Sequence, residues 1–154
     1  GSMKKWLVSS ALLIAAVQVP AMAQMVQPTR FGLLEANDQN ILQFEGKPFE
    51  QAVYLERPDY TMVRFQQDEA DVIFLRQNKG DDCPQKFAIV RVTRDGATGM
   101  TELGTCSSTV IRPAIHDQII RFSQPEPDGK SVVRYEYDGN GVLTEARDSS
   151  LAGE

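Results

Sequence analysis

The chain is poor in the side chains that most often build metal and redox sites. It has one histidine, His116, and two cysteines, Cys83 and Cys106, among 154 residues. Two cysteines with one distant histidine do not make the four-ligand set of a structural zinc site, and the cysteines lack the Cys-x-x-Cys spacing of a redox dithiol. The sequence therefore predicts neither a bound metal nor a redox centre.

Motifs for cofactors and for catalysis are also missing. The sequence contains no phosphate-binding loop and no dinucleotide-binding fingerprint, so we expect no cofactor. The run DGNG at 138–141 has a superficial similarity to a calcium loop, but Val142 and Leu143 interrupt the oxygen ligands that such a loop needs. His116 precedes Asp117, yet the sequence assigns no nucleophile to the pair. We interpret His116 as a solvent-exposed turn residue.

Basic side chains are few once the first residues are set aside. Residues 1–2 are typical of an expression scar, and residues 3–23 have the charged start, apolar run and small-residue site of a signal peptide cleaved after Ala23. The apolar run, 6–17, is shorter than the about 20 residues of a membrane span, so we expect no stable membrane anchor after cleavage. The mature chain is predicted to be periplasmic or secreted.

The mature chain carries a clear acidic excess. After residue 23 it keeps 21 acidic and 14 basic side chains, a net charge near -7. Proteins that bind nucleic acid cluster lysine and arginine against the phosphates, and no basic run longer than two residues occurs here. The charge therefore argues against nucleic acid, and it suits either a soluble surface or a basic protein partner.

The hydrophobic pattern after the signal has a period of two residues, which is typical of strands. KFAIVRVTR at 86–94 is apolar on both faces and predicts a central strand, whereas KSVVRYEYD at 130–138 alternates. Strands are also predicted at 51–57 and 108–113. Turn chemistry at Asp95-Gly96 predicts a hairpin.

These patterns predict an all-β fold with a single domain. The 131 residues after the signal are an ordinary length for one domain. We expect an antiparallel sandwich or barrel of about eight to ten short strands and one disulfide, because short strands with tight turns recur along the chain. The domain is predicted to span 24–146, and 147–154 to form a flexible tail.

The two cysteines lie on either side of the predicted hairpin. With a turn across 95–98, Cys83 and Cys106 fall near its open end. In an oxidising compartment, two cysteines so placed are most simply one disulfide. In the chain-entropy description, closing this loop would stabilise the fold by about 3 kcal/mol.

Two tyrosines on one strand are candidate binding residues. Tyr135 and Tyr137 share one face of their strand, with Arg134 and Glu136 on the other. Aromatic side chains and arginine are enriched at interfaces. The alternative is that the tyrosine face belongs to the core.

Two aspartates beside a cysteine complete the candidate binding site. Asp81 and Asp82 directly precede Cys83. A disulfide at Cys83 would hold their loop fixed before a partner binds, which lowers the entropy lost on binding. An acidic loop also indicates a basic partner.

Several segments together resemble a known pattern. They are GDDCPQKFAIVRVTRDG, TELGTCSS, ILQFEGKPFE and YEYDGNGVLTE. The pattern resembles that of uncharacterised small secreted or periplasmic proteins of Gram-negative bacteria, in which Cys-Pro is followed by a strand, a turn and Gly-Thr-Cys-Ser. The resemblance implies a secreted protein and transfers no catalytic residue.

These features leave two main classes of function and a third possibility. The first is a non-catalytic binding module, such as an inhibitor or immunity-type protein that acts on a periplasmic or secreted enzyme. The alternative is a hydrolase of envelope material with carboxylates on loops, and a structural envelope protein is a third. A deep pocket with a buried carboxylate would favour the enzyme, whereas an exposed acidic or aromatic patch would favour the binder.

Overall fold

A computed structural model describes residues 26–55, 60–109 and 111–149. The predicted expression scar, the signal peptide and its cleavage site lie outside these residues. Within the described ranges, no helix has the length and apolar character needed to cross a membrane.

The described residues form twelve β-strands in three sheets of four strands each. The first sheet contains β1 (Val26–Thr29), β2 (Gly32–Ala36), β3 (Leu42–Phe44) and β4 (Lys47–Pro48). The second contains β5 (Tyr60–Gln66), β6 (Asp71–Gln77), β7 (Lys86–Thr93) and β8 (Gly96–Leu103). The third contains β9 (Ala114–His116), β10 (Ile119–Pro125), β11 (Ser131–Tyr137) and β12 (Leu143–Ser149).

Each sheet is an antiparallel meander, in which every strand pairs with its neighbours along the chain. The hairpin of β7 and β8 shows how the turns set this order. Thr93 lies opposite Gly96, so only two residues form the turn, and Gly96 has a φ of 131°. Glycine adopts such a φ at little steric cost. The predicted hairpin is confirmed, but the turn expected across 95–98 is wrong, since Arg94 and Asp95 form the turn and Gly96 already pairs in β8.

The two central strands of the second sheet, β6 and β7, are buried on both faces. In β6 residues 71–75 are all buried, and in β7 residues 87–90 are all buried. Because successive side chains of a strand point to opposite faces, such runs need a covering layer on each side. The prediction that 86–94 is a central strand is confirmed, since β7 pairs with β6 on one edge and with β8 on the other.

The first sheet covers one face of the second. Ile73 and Leu75 of β6 and Val90 of β7 form one core with Leu34 and Leu42 of the first sheet. Each of these side chains is at most 1% exposed. Fully burying a leucine or isoleucine contributes about 1.5–3 kcal/mol, so this layer contact supplies a large part of the driving force for folding.

The third sheet covers the opposite face, mainly with aromatic rings. Phe74 of β6 stacks on Phe87 of β7 at 4.9 Å between ring centroids. Phe122 of β10 meets Phe74 edge-on at 4.7 Å and stacks on Tyr135 of β11 at 4.8 Å. Aromatic pairs in these arrangements add about 0.5–1.5 kcal/mol each beyond the burial of their area. The aromatic cluster thus fixes the third sheet against the second.

An ion pair around a buried carboxylate, that of Asp71, joins the first sheet to the second. Arg30, in the turn between β1 and β2, donates its backbone N–H to Asp71 Oδ2 at 2.8 Å and its Nε–H to Asp71 Oδ1 at 2.7 Å. Its Nη2 also donates to the carbonyls of Gln67 and Ala70, at 2.6 and 2.7 Å. Arg64 of β5 donates to Asp71 Oδ2 at 3.3 Å. Asp71 is 0% exposed, so these donors replace water around its charge.

The arginines also determine how Asp71 titrates. Burial by itself raises the pKa of Asp71, but the hydrogen bonds and positive charge of Arg30, with the hydrogen bond from Arg64, hold the pKa below its ordinary value. The folded state therefore favours the charged carboxylate. By linkage, this contribution to stability is complete above the pKa of the unfolded carboxyl and is lost as the pH falls through the lower folded pKa.

The structure corrects the predicted architecture in two respects. The all-β antiparallel fold is confirmed, but the sheets are open, so the barrel alternative is wrong. The described residues form twelve strands, more than the about eight to ten expected, because strands as short as β4 and β9 leave little periodic pattern.

The predicted strand limits also need correction. The described parts of 51–57 and 108–113 contain no regular strand, apart from an isolated bridge between Ile41 and Tyr54, and they connect the sheets instead. At the other end, β12 continues to Ser149, beyond the predicted domain limit at residue 146.

Asp71→Asn is expected to lower the free energy of unfolding by about 2 kcal/mol, because it removes the charge to which Arg30 and Arg64 donate, while both guanidinium groups keep partial contact with solvent. Urea unfolding followed by circular dichroism measures the change. Asp95→Asn, in the exposed turn between β7 and β8, is the control and should change stability by less than about 0.5 kcal/mol. The difference between wild type and Asp71→Asn should shrink as the pH falls below about 4. Equal effects of the two substitutions would contradict the role given to the ion pair.

The buried tyrosines predict a loss of stability at high pH. Burial raises the pKa of Tyr135 and of Tyr137 to about 12, whereas an unfolded tyrosine titrates near about 10. The folded state keeps protons that the unfolded state has released, so the free energy of unfolding should fall as the pH rises through this interval. In urea unfolding at about pH 9 and about pH 11, Tyr137→Phe should lose less stability than wild type. Tyr54→Phe, at an exposed ring, is the control and should follow wild type.

Candidate binding site at the disulfide loop

A disulfide joins the segment before β7 to the segment after β8. Cys83 and Cys106 are bonded, with 4.5 Å between their Cα atoms. The predicted disulfide is confirmed, and it closes the open end of the β7–β8 hairpin. Its position fixes the loop of residues 78–85, here called the disulfide loop, against the edge of the second sheet.

Backbone hydrogen bonds fold the disulfide loop into a compact turn. Lys79 donates its backbone N–H to the carbonyl of Cys83 at 3.0 Å, and Cys83 donates its own to the carbonyl of Gly80 at 3.1 Å. The amide oxygen of Asn78 accepts from the backbone N–H of Gly80 at 2.9 Å. Asparagine commonly stabilises turns through such bonds. The loop therefore has a defined conformation before any partner binds.

Two buried glutamines hold the segment on the other side of the disulfide. Gln124 of β10 accepts the backbone N–H of Thr105 at 2.8 Å and donates to the carbonyl of Ser107 at 3.1 Å. Gln85 donates to the same carbonyl of Ser107 at 3.1 Å and also to the carbonyl of Thr109. Gln124 is 0% and Gln85 5% exposed. Because a buried amide is costly unless it is hydrogen-bonded, these bonds restrict the segment to one conformation.

Gly104 permits the close approach of this segment to the core. Its φ is 109°, in a region that favours glycine. A Cβ atom at this position would lie 2.7 Å from Gln124 Oε1 and 2.9 Å from the ring of Phe87. Any larger residue at position 104 would therefore collide with Gln124 and Phe87. Glycine at this position lets the segment that leads to Cys106 pass close to the core.

The structure places Asp81 and Asp82 at the exposed surface of the disulfide loop. The neighbouring Lys79 pairs instead with Glu102 of β8, at 3.0 Å between Nζ and Oε2. That pair ties the loop to β8 and partly neutralises the lysine. The loop accordingly presents a local negative charge to solvent. The binding role predicted for these aspartates stays a prediction.

A shallow pocket of about 490 Å³ adjoins the loop. Asn78, Pro84 and Gln85 form its loop side, and Tyr60 of β5 and Arg76 of β6 lie opposite. Its lining mixes polar groups with an aromatic ring, as is common where a partner side chain inserts. The aspartates and the pocket together make up the candidate binding site.

The prediction that Tyr135 and Tyr137 are surface anchors is wrong as to their exposure. Tyr135 is 3% and Tyr137 2% exposed, and both belong to the core between the second and third sheets. They do share one face of β11, with Arg134 and Glu136 on the outer face. Burying two aromatic rings while exposing two charged side chains is the more stable of the two strand orientations. The tyrosines therefore support the fold.

His116 is the last residue of β9 and its side chain is 82% exposed. It lies 3.2 Å from a carboxylate oxygen of Asp117, also highly exposed. In the described ranges, no group of three or more histidine, cysteine, aspartate or glutamate side chains is arranged to hold a metal ion.

The buried carboxylate in the described ranges, that of Asp71, does not have the properties of a catalytic acid. Both oxygens of Asp71 already accept hydrogen bonds from arginine. A general acid needs a raised pKa, whereas the arginines lower that of Asp71. Asp71 therefore gives no support to the hydrolase alternative.

The sequence analysis did not predict the two glutamines that hold the segment after β8. Gln124 lies on the same inward face of β10 as Ile120 and Phe122. A single glutamine among the apolar residues of this face could have indicated a buried polar role. Its partners, however, are backbone groups of Thr105 and Ser107, which no pattern of side chains reveals. Gln85, between Pro84 and a strand, carried no such signal.

Comparison with known proteins gives no relative, since no family model, curated protein or solved structure matches the chain. The resemblance to small secreted proteins of Gram-negative bacteria stays a prediction.

Replacing both cysteines by alanine is expected to lower the free energy of unfolding by about 3 kcal/mol, as the chain-entropy estimate for this loop length gives. The strands do not depend on the bond for their register, so the far-ultraviolet circular dichroism spectrum of Cys83→Ala/Cys106→Ala should match that of wild type. Urea unfolding of both proteins, with and without reductant, measures the effect. Reductant should weaken wild type and leave the variant unchanged. A variant as stable as oxidised wild type would refute a stabilising role for the bond.

Proposed function

We propose that this chain is a non-catalytic binding protein of the periplasm or the extracellular space, which attaches to a basic protein surface through the disulfide loop. In this proposal it acts as an inhibitor or immunity-type protein on a periplasmic or secreted enzyme. The observation that carries the proposal is an exposed acidic pair, Asp81 and Asp82, on a loop already fixed by a disulfide and by backbone hydrogen bonds.

Preorganisation is the physical basis of the proposal. A flexible loop loses conformational entropy on binding, at about 0.5–1.5 kcal/mol for each side chain that becomes immobile. Here the backbone of the loop is already fixed by the Cys83–Cys106 bond and the turn around Gly80. A partner needs to order only the exposed side chains. The adjoining pocket, with Tyr60 on its wall, offers a recess for one partner side chain.

Charge supports a basic partner. The mature chain has a net charge near -7, and the acidic loop adds a local concentration of that charge. Opposite charges accelerate association, and salt reduces the acceleration because the screening length is about 8 Å at physiological ionic strength. The association rate with the partner should therefore fall as salt is added, with a smaller change in the dissociation rate.

Asp81→Ala/Asp82→Ala is expected to weaken binding of the partner by about 2 kcal/mol or more, if the pair contains a central anchor of the interface. The partner is first captured from envelope extract with the mature wild-type protein and is then purified for titration. Asp68→Ala/Glu69→Ala is the matched control, since it removes an exposed acidic pair with the same charge change from the β5–β6 turn.

The control separates a local contact from a general charge effect. Under the proposal, the loop variant loses affinity and the control keeps it. Equal losses would assign the effect to net charge, and unchanged affinity in both would exclude the disulfide loop. Turnover of peptidoglycan or peptide substrates by the protein alone would overturn the non-catalytic proposal.

A further inference from the structure

A second recess lies on the third sheet, remote in sequence from the disulfide loop. It has a volume of about 630 Å³ and is lined by three arginines, three residues with hydroxyl groups and three others. The arginines are Arg112, in the segment before β9, Arg121 of β10 and Arg134 of β11. Three guanidinium groups around one recess contrast with the acidic balance of the whole chain. We call this recess the arginine groove.

Strand register explains why a recess exists here. Ser123 of β10 lies directly opposite Arg134 of β11, and Arg121 lies opposite Glu136. Side chains opposite each other share a face at about 5 Å between Cβ atoms, and diagonal neighbours lie about 7–8 Å apart. Ser123 is therefore a short side chain next to long ones, and it lines the recess between them. Thr109 supplies a second hydroxyl of the lining.

Two of the arginines are oriented by carboxylates and keep further donors. Arg121 uses its Nε–H on Glu136, at 2.7 Å. Arg134 uses Nη2 on Asp148. A guanidinium has five N–H donors in a planar fork, so several donors of each group are available to a ligand. These exposed ion pairs add little stability, but they restrict where each guanidinium lies.

Arg112 differs from the other two arginines. Among the described residues it has no carboxylate partner within ion-pair distance, and its side chain is exposed. One carboxylate, Glu136, lines the groove together with the three arginines. The lining therefore keeps an excess of positive charge. An anion would complete the charge balance of the groove.

We infer that the arginine groove binds a tetrahedral oxyanion group, a phosphate or a sulfate, between Arg112 and Arg134 and above the hydroxyl of Ser123. Such a group has several acceptor oxygens, which match the guanidinium forks and the hydroxyl donors. A carboxylate has two oxygens in one plane and would use fewer of these donors. The inference is independent of the function proposed for the disulfide loop.

Nuclear magnetic resonance titration of the folded mature protein tests this inference. Inorganic phosphate, inorganic sulfate and acetate are added separately at constant ionic strength, and amide shifts are followed. Phosphate or sulfate should shift the amides of Thr109, Ser123 and Arg134 with saturation, and acetate should bind at least about tenfold more weakly, the equivalent of one lost charge-assisted hydrogen bond. Saturation at other sites alone would overturn the inference.

Matched arginine variants make the test specific. Arg112→Gln should weaken phosphate and sulfate binding about tenfold. Arg94→Gln removes an equal charge from the exposed β7–β8 turn and should leave binding unchanged. Equal weakening in both variants would show a diffuse charge effect and refute the site. Ser123→Ala, which leaves all charges in place, should weaken binding without changing the unfolding transition.

Two further ligands identify the source of the anion. Glycerol 3-phosphate carries the oxyanion as a phosphate ester, and a sulfated monosaccharide carries it as a sulfate ester. Binding of one ester at the same amides would assign the groove to that class of molecule. If the free ions bind and neither ester does, the groove holds the free anion only.

Discussion

A sheet that is apolar on both faces must be covered on both faces, and the rest of this fold follows from that requirement. The consecutive buried residues of β6, 71–75, and of β7, 87–90, leave neither face of these two central strands for water. The first sheet supplies aliphatic side chains to one face and the third supplies aromatic rings to the other. The Arg30–Asp71 ion pair also fixes how the first sheet is oriented on the second. A charge-assisted hydrogen bond has a preferred geometry, which apolar contact alone does not have.

The strands and the hairpin could be predicted from the sequence, whereas most contacts between the sheets could not. The period of two residues, the β7–β8 hairpin and the buried character of 86–94 are properties of neighbouring residues, and the structure confirms all three, although the turn lies at 94–95 and not across 95–98. The disulfide was predictable because two cysteines in a chain predicted to be exported leave one pairing. Strand parity placed Tyr135 and Tyr137 on one face, but parity does not say which face is inward. Arg30 and Asp71 are 41 positions apart in the chain, and no sequence pattern predicts their contact.

The segment between β8 and β9 connects the two surface sites. It begins with Gly104 at the core, carries Cys106 into the disulfide, is held at Ser107 by buried glutamines and reaches the arginine groove with Arg112. Gln85 of the disulfide loop donates to the carbonyl of Thr109, so the loop also holds one residue of the groove lining. Together they place an acidic surface and a basic recess on two sides of a single connection between sheets.

The meander order of the sheets has a consequence for how the chain acquires its structure. In the part of the chain that the structure describes, each strand ladder joins strands that are adjacent along the chain, so each sheet can complete its own pairing within a continuous stretch of sequence. Local pairing of this kind favours fast folding. For a chain exported in an unfolded state, as the proposed address implies, the sheets can form in the order in which they emerge. The apolar second sheet then remains at risk of aggregation only until the third has followed it.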